Sequence, residues 1–476
     1  MFHYVRYLRV LDLRDLYDLF DDDKFRRDIY ENFFSGQLTK FDFMAQTSGT
    51  RQQKVRGKGF SIRKNVVDIG DVIVKNAPML EELTEPIVGE YNILSAAIPR
   101  WAPDLSRLQS LELWDGKTLG DEAVRNMLHA HCPLLRRIRV YQWFAPSRHF
   151  NKPEKLTWTY CRREEDSDHK LAEFISNMPA NTLSDFENHG DCGIGPETCL
   201  ALTRHDKSLR ALALALTEKG IEGLGLFQNC TNIERLKLLD LQAPHDMKAT
   251  MNDVLSDMVD WLKECKSLRE VTLTNFISAP DILTEVLNVP EIQLEDLQIN
   301  ARENSTYKLK DHAEFHLAIG QQKRLRSLLL KADAEPFSPT ARDSLVSQLV
   351  QLKDLRYLQL AKISDYFQDG HVQDLSKHLV DLEDLLVTGW QLGDASLAEL
   401  HRLIELKSLA FSGASIFTTA GLLDYINKLG PGNQGLALSI DMAETIGALS
   451  SEEQDIVRDA LMEKVGGRFE YQTSRG

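Results

Sequence analysis

Met251–Leu273 reads MNDVLSDMVDWLKECKSLREVTL and holds two different rhythms. In its first part Val254, Leu255, Met258, Val259 and Leu262 return at spacings of three and four, the pattern of one helix face. From Leu268 the rhythm changes to L-x-x-V-x-L, in which apolar residues alternate and so share one side of a short strand. A helix followed at once by a short strand cannot bury both apolar faces alone. It needs copies of itself on either side.

The copies are present. The phrase begins at Leu8, Leu38, Leu108, Leu209, Ile233, Leu268, Leu294, Leu325, Leu355, Leu382 and Leu406, with weaker versions at Leu80, Leu135 and Leu183. These fourteen starts leave thirteen intervals and a mean period of about 31 residues. Segments of helical period lie between them, among them GDEAVRNMLHAHCP, TARDSLVSQLVQLK, GHVQDLSKHLVDLE and GDASLAELHRLIEL. The fold class that follows is α/β: one solenoid over residues 1–476, of about 14–15 irregular repeats. Helices are wider than strands, so the expectation is a curved horseshoe, with parallel strands on the concave face and helices on the convex one. A doubly wound nucleotide-binding fold is the rival. It requires a Gly-rich phosphate loop, and RGKGFS at Arg56 fits neither phosphate-loop template.

Three cysteines support the repeat. Cys132, Cys230 and Cys265 each stand three residues before a repeat start, a recurrence that predicts packing at a helix end. Cys192 and Cys199, in DCGIGPETC, suggest a metal but lack further ligands at suitable spacing, so no zinc site is expected there. HAEFH places His312 and His316 four apart, but Glu314 is in the wrong slot for a metalloprotease motif. No nucleophile elbow or catalytic Cys/His phrase is found, so the chain is read as a non-enzyme without metal or cofactor. A net charge of -15 argues against nucleic acid. No apolar run reaches the roughly 18–20 residues of a membrane span. Arg6, Arg9 and Asp12 interrupt any secretory signal, and six cysteines without close paired spacing fit a reducing compartment. The expected location is cytoplasmic, nuclear or both.

The pieces CPLLRRIRV, CTNIERLKLL, CKSLREVTL and LSSEEQDIVRDALMEKVGGRFEY together resemble the ribonuclease-inhibitor-like leucine-rich repeats, most closely those of fungal F-box proteins. That resemblance implies substrate-recognition repeats of an SCF-type ubiquitin ligase, with an F-box docking a Skp-type adaptor. The first repeat occupies the place where an F-box of some forty residues with an LPxE-like helix would stand. The expectation is therefore an F-box upstream of this chain, or a relative that lost it. The alternatives are an F-box-less scaffold and a GTPase activator like those acting on Ran.

The partner is expected to be a protein substrate on the concave face. Alternation exposes the residues between the leucines: Trp114 on one strand, then Arg137, Arg139 and Tyr141 with Trp143 following, then Arg235 and Lys237. Trp, Tyr and Arg dominate interface hot spots. Packing of Trp114 and Trp143 beneath adjacent loops is the competing reading. Long intervals predict loop insertions within 45–65 and 143–170. The first carries the basic run Arg51, Lys54, Arg56, Lys58, Arg63 and Lys64, read as a solvated loop. Ser450 and Glu453 form a capping box opening a last helix, and residues 450–476 a terminal helix and strand cap.

Overall fold

The computed structural model describes residues 3–29, 32, 44–45, 59–60, 62–85, 93–143, 166–242, 246–301, 308, 311–332, 339–362, 367–389, 392–413, 416–442 and 447–473. The chain divides into two compact units, Met1–Cys230 and Thr231–Gly476.

In the first unit β1 (Val10–Asp12) is followed by a short antiparallel pair, β2 (Met44–Ala45) and β3 (Gly59–Phe60). Then come β4 (Glu82–Thr84), β5 (Ser110–Asp115), β6 (Arg137–Gln142), β7 (Asp185–Asn188) and β8 (Ala211–Leu216). β1 and β4 to β8 form a parallel sheet in chain order. The phrase at Leu38 lies outside the described residues, and the sheet passes directly from β1 to β4.

The second unit carries β9 (Arg235–Asp240), β10 (Glu270–Thr274), β11 (Asp296–Asn300), β12 (Ser327–Lys331) and β13 (Tyr357–Ala361). β14 (Asp384–Thr388), β15 (Ser408–Gly413), β16 (Ala437–Met442) and β17 (Arg468–Thr473) complete it, all parallel and in chain order. Each unit is an α/β solenoid of the leucine-rich-repeat type, the strand of one repeat pairing with the strand of the next.

Register explains the leucines. Leu236, Val271, Leu297, Leu328, Leu358, Leu385, Leu409, Leu438 and Phe469 lie opposite one another in turn. All are buried, so one sequence position becomes one continuous apolar ladder. The helices supply the other half of the core: in Asn252–Glu264, Leu255, Met258, Val259, Trp261 and Leu262 are buried. Cys132, Cys230 and Cys265 are buried C-caps of helical segments, as their spacing predicts. Burial pushes the Cys132 and Cys230 thiols up to about 12, which keeps them protonated and inert. Cys192 and Cys199 are buried too, with thiols raised by the same desolvation.

Polar groups stitch neighbouring repeats. Asp168, in the first turn of the helix Ser167–Ser176, accepts the Gly195, Thr198 and Glu197 N–H groups at 2.8, 3.0 and 3.2 Å, capping the helix of the following repeat. Asp394 does the same for Thr418, at 2.9 Å from its N–H. Buried side chains satisfy backbone at the bends: Gln322 accepts from Leu294 N–H at 2.9 Å and donates to Leu287 C=O at 3.0 Å. Asn433 donates to Leu403 and Leu406 C=O. The predicted capping box is formed, with Ser450 N–H donating to Glu453 at 2.8 Å and Glu453 N–H to Ser450 Oγ at 3.3 Å. That helix, Ser451–Val465, ends on Gly466 at φ 62°, a left-handed turn that favours glycine.

Of the two predicted insertions, residues 46–58 and 144–165 lie outside the described residues, and so do Arg51, Lys54, Arg56 and Lys58. Arg63 and Lys64 belong to the first turn of the helix Ile62–Asn76. His312 is the N-cap of Ala313–Gly320, whereas His316 lies fully buried within that helix, and burial holds its pKa down to about 4. No helix among the described residues is long and apolar enough to cross a membrane.

Candidate partner-binding face

The outward side chains of the first unit are aligned by register. Ser110, Arg137 and Asp185 form one row across β5, β6 and β7; Glu112, Arg139 and Glu187 form the next. The central arginine is therefore flanked by carboxylates. Arg139 Nη1 lies 2.8 Å from Glu112 Oε2, and its Nε lies 2.8 Å from Glu187 Oε2. Arg14 reaches Glu112 Oε1 at 3.3 Å while its Nη2 holds Asp12 at 2.6 Å. Arg137 Nη2 is 2.6 Å from Glu82.

These pairs lie partly out of water, so they are charge-assisted hydrogen bonds with fixed geometry. A hydrogen bond from His189 and the Arg139 guanidinium together hold Glu187 down to about 2, against the desolvation that opposes them. Glu187 and Glu112 in turn raise the Arg139 pKa above its usual value. The Tyr141 hydroxyl donates to Glu112 Oε1 at 3.1 Å, and burial followed by that charge raises its pKa.

Beside the charged row runs an aromatic one. Trp114 and Tyr141 have ring centroids 5.4 Å apart, and Tyr141 and His189 5.1 Å. Such offset contacts make a semi-rigid apolar strip. The Trp114 indole N–H is buried and has no hydrogen-bond partner among the described residues. Its backbone N–H donates to Glu85 at 3.1 Å, and Glu85 also accepts the Leu94 N–H at 3.0 Å, near the start of the helix Ile93–Trp101. Glu85 is only 3% exposed, and burial pushes its carboxyl up to about 7 even though three backbone N–H groups favour the charge. It sits under the strip and fixes the backbone from which Trp114 projects. Period-two reading missed it because Glu85 lies just past the last residue of β4.

Trp114, Arg137, Arg139 and Tyr141 are thus gathered on one face. Trp143 is a correction: it is 2% exposed and offers no surface to a partner. β6 ends at Gln142, so alternation stops one residue short of Trp143. Its indole turns inward onto Gly116 and Gly120, where a Cβ would stand 2.8 and 3.0 Å from its ring atoms. Arg235 and Lys237 are exposed, on β9 of the second unit, opposite Glu270 and Thr272. Among the described residues no three His, Cys, Asp or Glu side chains are grouped to hold a metal ion.

No protein-family model matches this sequence. No curated protein matches it either. Among solved structures the chain is similar to one in the crystal structure of the Rad7 and Elc1 complex in yeast, with 12% identity and a TM-score of 0.47, covering 87% of this chain and 90% of that one. It is also similar to a chain of the TLR13–ssRNA13 complex, with 14% identity and a TM-score of 0.34, covering 83% of this chain and 58% of that one. The fold class rests on the strand order and register, independently of either likeness.

Proposed function

We propose that this chain is a protein-interaction module whose partner docks on the strand face of the first unit. One observation carries the reading: the Trp114–Tyr141–His189 strip lies beside an arginine held by two carboxylates, with Trp114, Tyr141 and that arginine on strands of a parallel sheet. Side chains already locked by neighbours lose little entropy on binding, and Trp, Tyr and Arg supply most interface energy. The finer reading is substrate recognition for an F-box-type ubiquitin ligase, reaching a Skp-type adaptor through an F-box. It rests on the resemblance of the repeat phrases, since a fold by itself does not specify a function.

The test is affinity purification with the wild-type chain and with Trp114→Ala, Tyr141→Ala and, on the second unit, Gln359→Ala. One partner recovered by the wild type and by Gln359→Ala, but reduced about thirtyfold by either aromatic change, is the expected result. Equal recovery by all four chains excludes this face. The ligase reading further expects that partner's half-life to lengthen when the chain is deleted; an unchanged half-life removes it.

A further inference from the structure

Arg137 and Arg139 are cationic, but their charges are already engaged. Arg137 contacts Glu82, Arg139 bridges Glu112 and Glu187, and Arg14 bridges Asp12 and Glu112. Across the strand face of the first unit, these three arginines stand against five carboxylates: Asp12, Glu82, Glu112, Asp185 and Glu187. The face is therefore net acidic, by two charges, on a chain of net charge -15.

Among the described residues the acceptor capacity is not filled. A carboxylate offers about four lone-pair sites. Both recorded partners of Glu187, Arg139 Nε at 2.8 Å and His189 Nε2 at 3.2 Å, sit on Oε2. Its Oε1 takes no hydrogen bond from any described residue. His189, the other partner of Glu187, contacts the Tyr141 ring, which in turn contacts Trp114, and the π faces of such rings attract cations.

We propose that the segment docking here is cationic: an arginine- or lysine-bearing stretch of a partner protein, its cation lying on the Trp114–Tyr141 rings within reach of Glu187. This rests on the strand face being the binding surface. An acidic partner would meet arginines already engaged, and would have to break those pairs or bring negative charge beside Glu112 and Glu187.

The experiment is selection of a displayed library of random 16-residue peptides against the full chain. Each enriched peptide is then measured on the wild type, Trp114→Ala and Glu187→Gln, with all three chains checked by thermal melts. The expected result is enrichment of net-positive peptides. Their affinity falls about tenfold in Glu187→Gln, as loss of a charge-assisted hydrogen bond predicts, and weakens with added salt. Neutral or acidic peptides that depend on Trp114 overturn the cationic class and leave the binding face standing. Cationic peptides that bind all three chains equally overturn both, since attraction to the chain as a whole then explains them. No enrichment overturns the proposal as well. Glu187→Gln preserves side-chain shape, so it remains decisive if Trp114→Ala fails to fold.

Discussion

The strand face of the first unit and that of the second are built on the same ladder and decorated differently. In the first, Glu112, Arg139 and Glu187 form a charged row beside Trp114 and Tyr141. In the second, the equivalent row runs Lys237, Thr272, Gln298, Leu329, Gln359, Leu386, Ala410, Ser439 and Glu470, charged only at its two ends. Ion pairs stand just before its strands, Arg269 with Glu295 and Arg356 with Glu383, and on β17, Arg468 with Glu470. Those pairs are surface-exposed and individually worth little. The inward positions make the scaffold and are mostly aliphatic or aromatic, with Asn188 and Asp240 as buried polar exceptions. The outward positions are free of that constraint, and the proposed binding face uses that freedom.

The largest expected effect asks whether the inward ladders are equivalent. Ile138→Ala in the first unit and Leu297→Ala in the second each empty a site that is at most 1% exposed. Each is expected to cost about 3 kcal/mol of stability, measured by urea unfolding. A gap larger than about 2 kcal/mol between them would mean that the units differ in their cores as well as in their faces.

Next comes Glu85, the buried acid beneath Trp114. The folded pKa of Glu85, about 7, lies above its ordinary 4.5, so the folded state holds this proton more tightly. Its contribution is full below about pH 4.5 and is lost as pH rises through 7. Between pH 5 and 8 the wild type should therefore lose about 2 kcal/mol relative to Glu85→Gln. Parallel pH profiles for the two chains would show that Glu85 does not hold its proton in this way.

A smaller effect is expected from Arg139→Met. The Arg139 side chain is 42% exposed, so solvent screening limits the loss to about 1 kcal/mol at pH 7. The pH dependence is more telling. Glu187, held at about 2, contributes stability above its ordinary 4.5 that is lost as pH falls through 2. Without Arg139, acid unfolding should begin at higher pH. An unshifted acid limb would show His189 alone to be the partner that matters.

The smallest free energies lie at an edge. β1 has three residues, pairs with β4 alone among the described strands, and carries Val10 at 50% exposure. Its amides should exchange with deuterium far faster than those of β11, which is paired on both sides. Equal protection would indicate that β1 is covered.

Much of this was legible in the residues. The leucine alternation located most strands, and the helical spacing located the helix of Asn252–Glu264. The cysteine recurrence marked helix ends, and Ser450 with Glu453 marked the start of the last helix. β16 was missed, because Leu438 and Ile440, with Leu436 just before the strand, lack the full repeated phrase. Trp143 was misassigned, because parity was carried past the end of β6. The candidate face was legible as a set of residue types but not as a charge balance.

By itself the sequence determined which side chains turn inward and which outward, because alternation is a property of the local backbone with a period of two. Only the tertiary structure decided that Arg139 stands between Glu112, 27 residues before it, and Glu187, 48 residues after it. It likewise decided that Glu85 is sealed beneath Trp114. Those meetings depend on register between strands joined by connections of unequal length, and cross-strand register is absent from any short window of sequence.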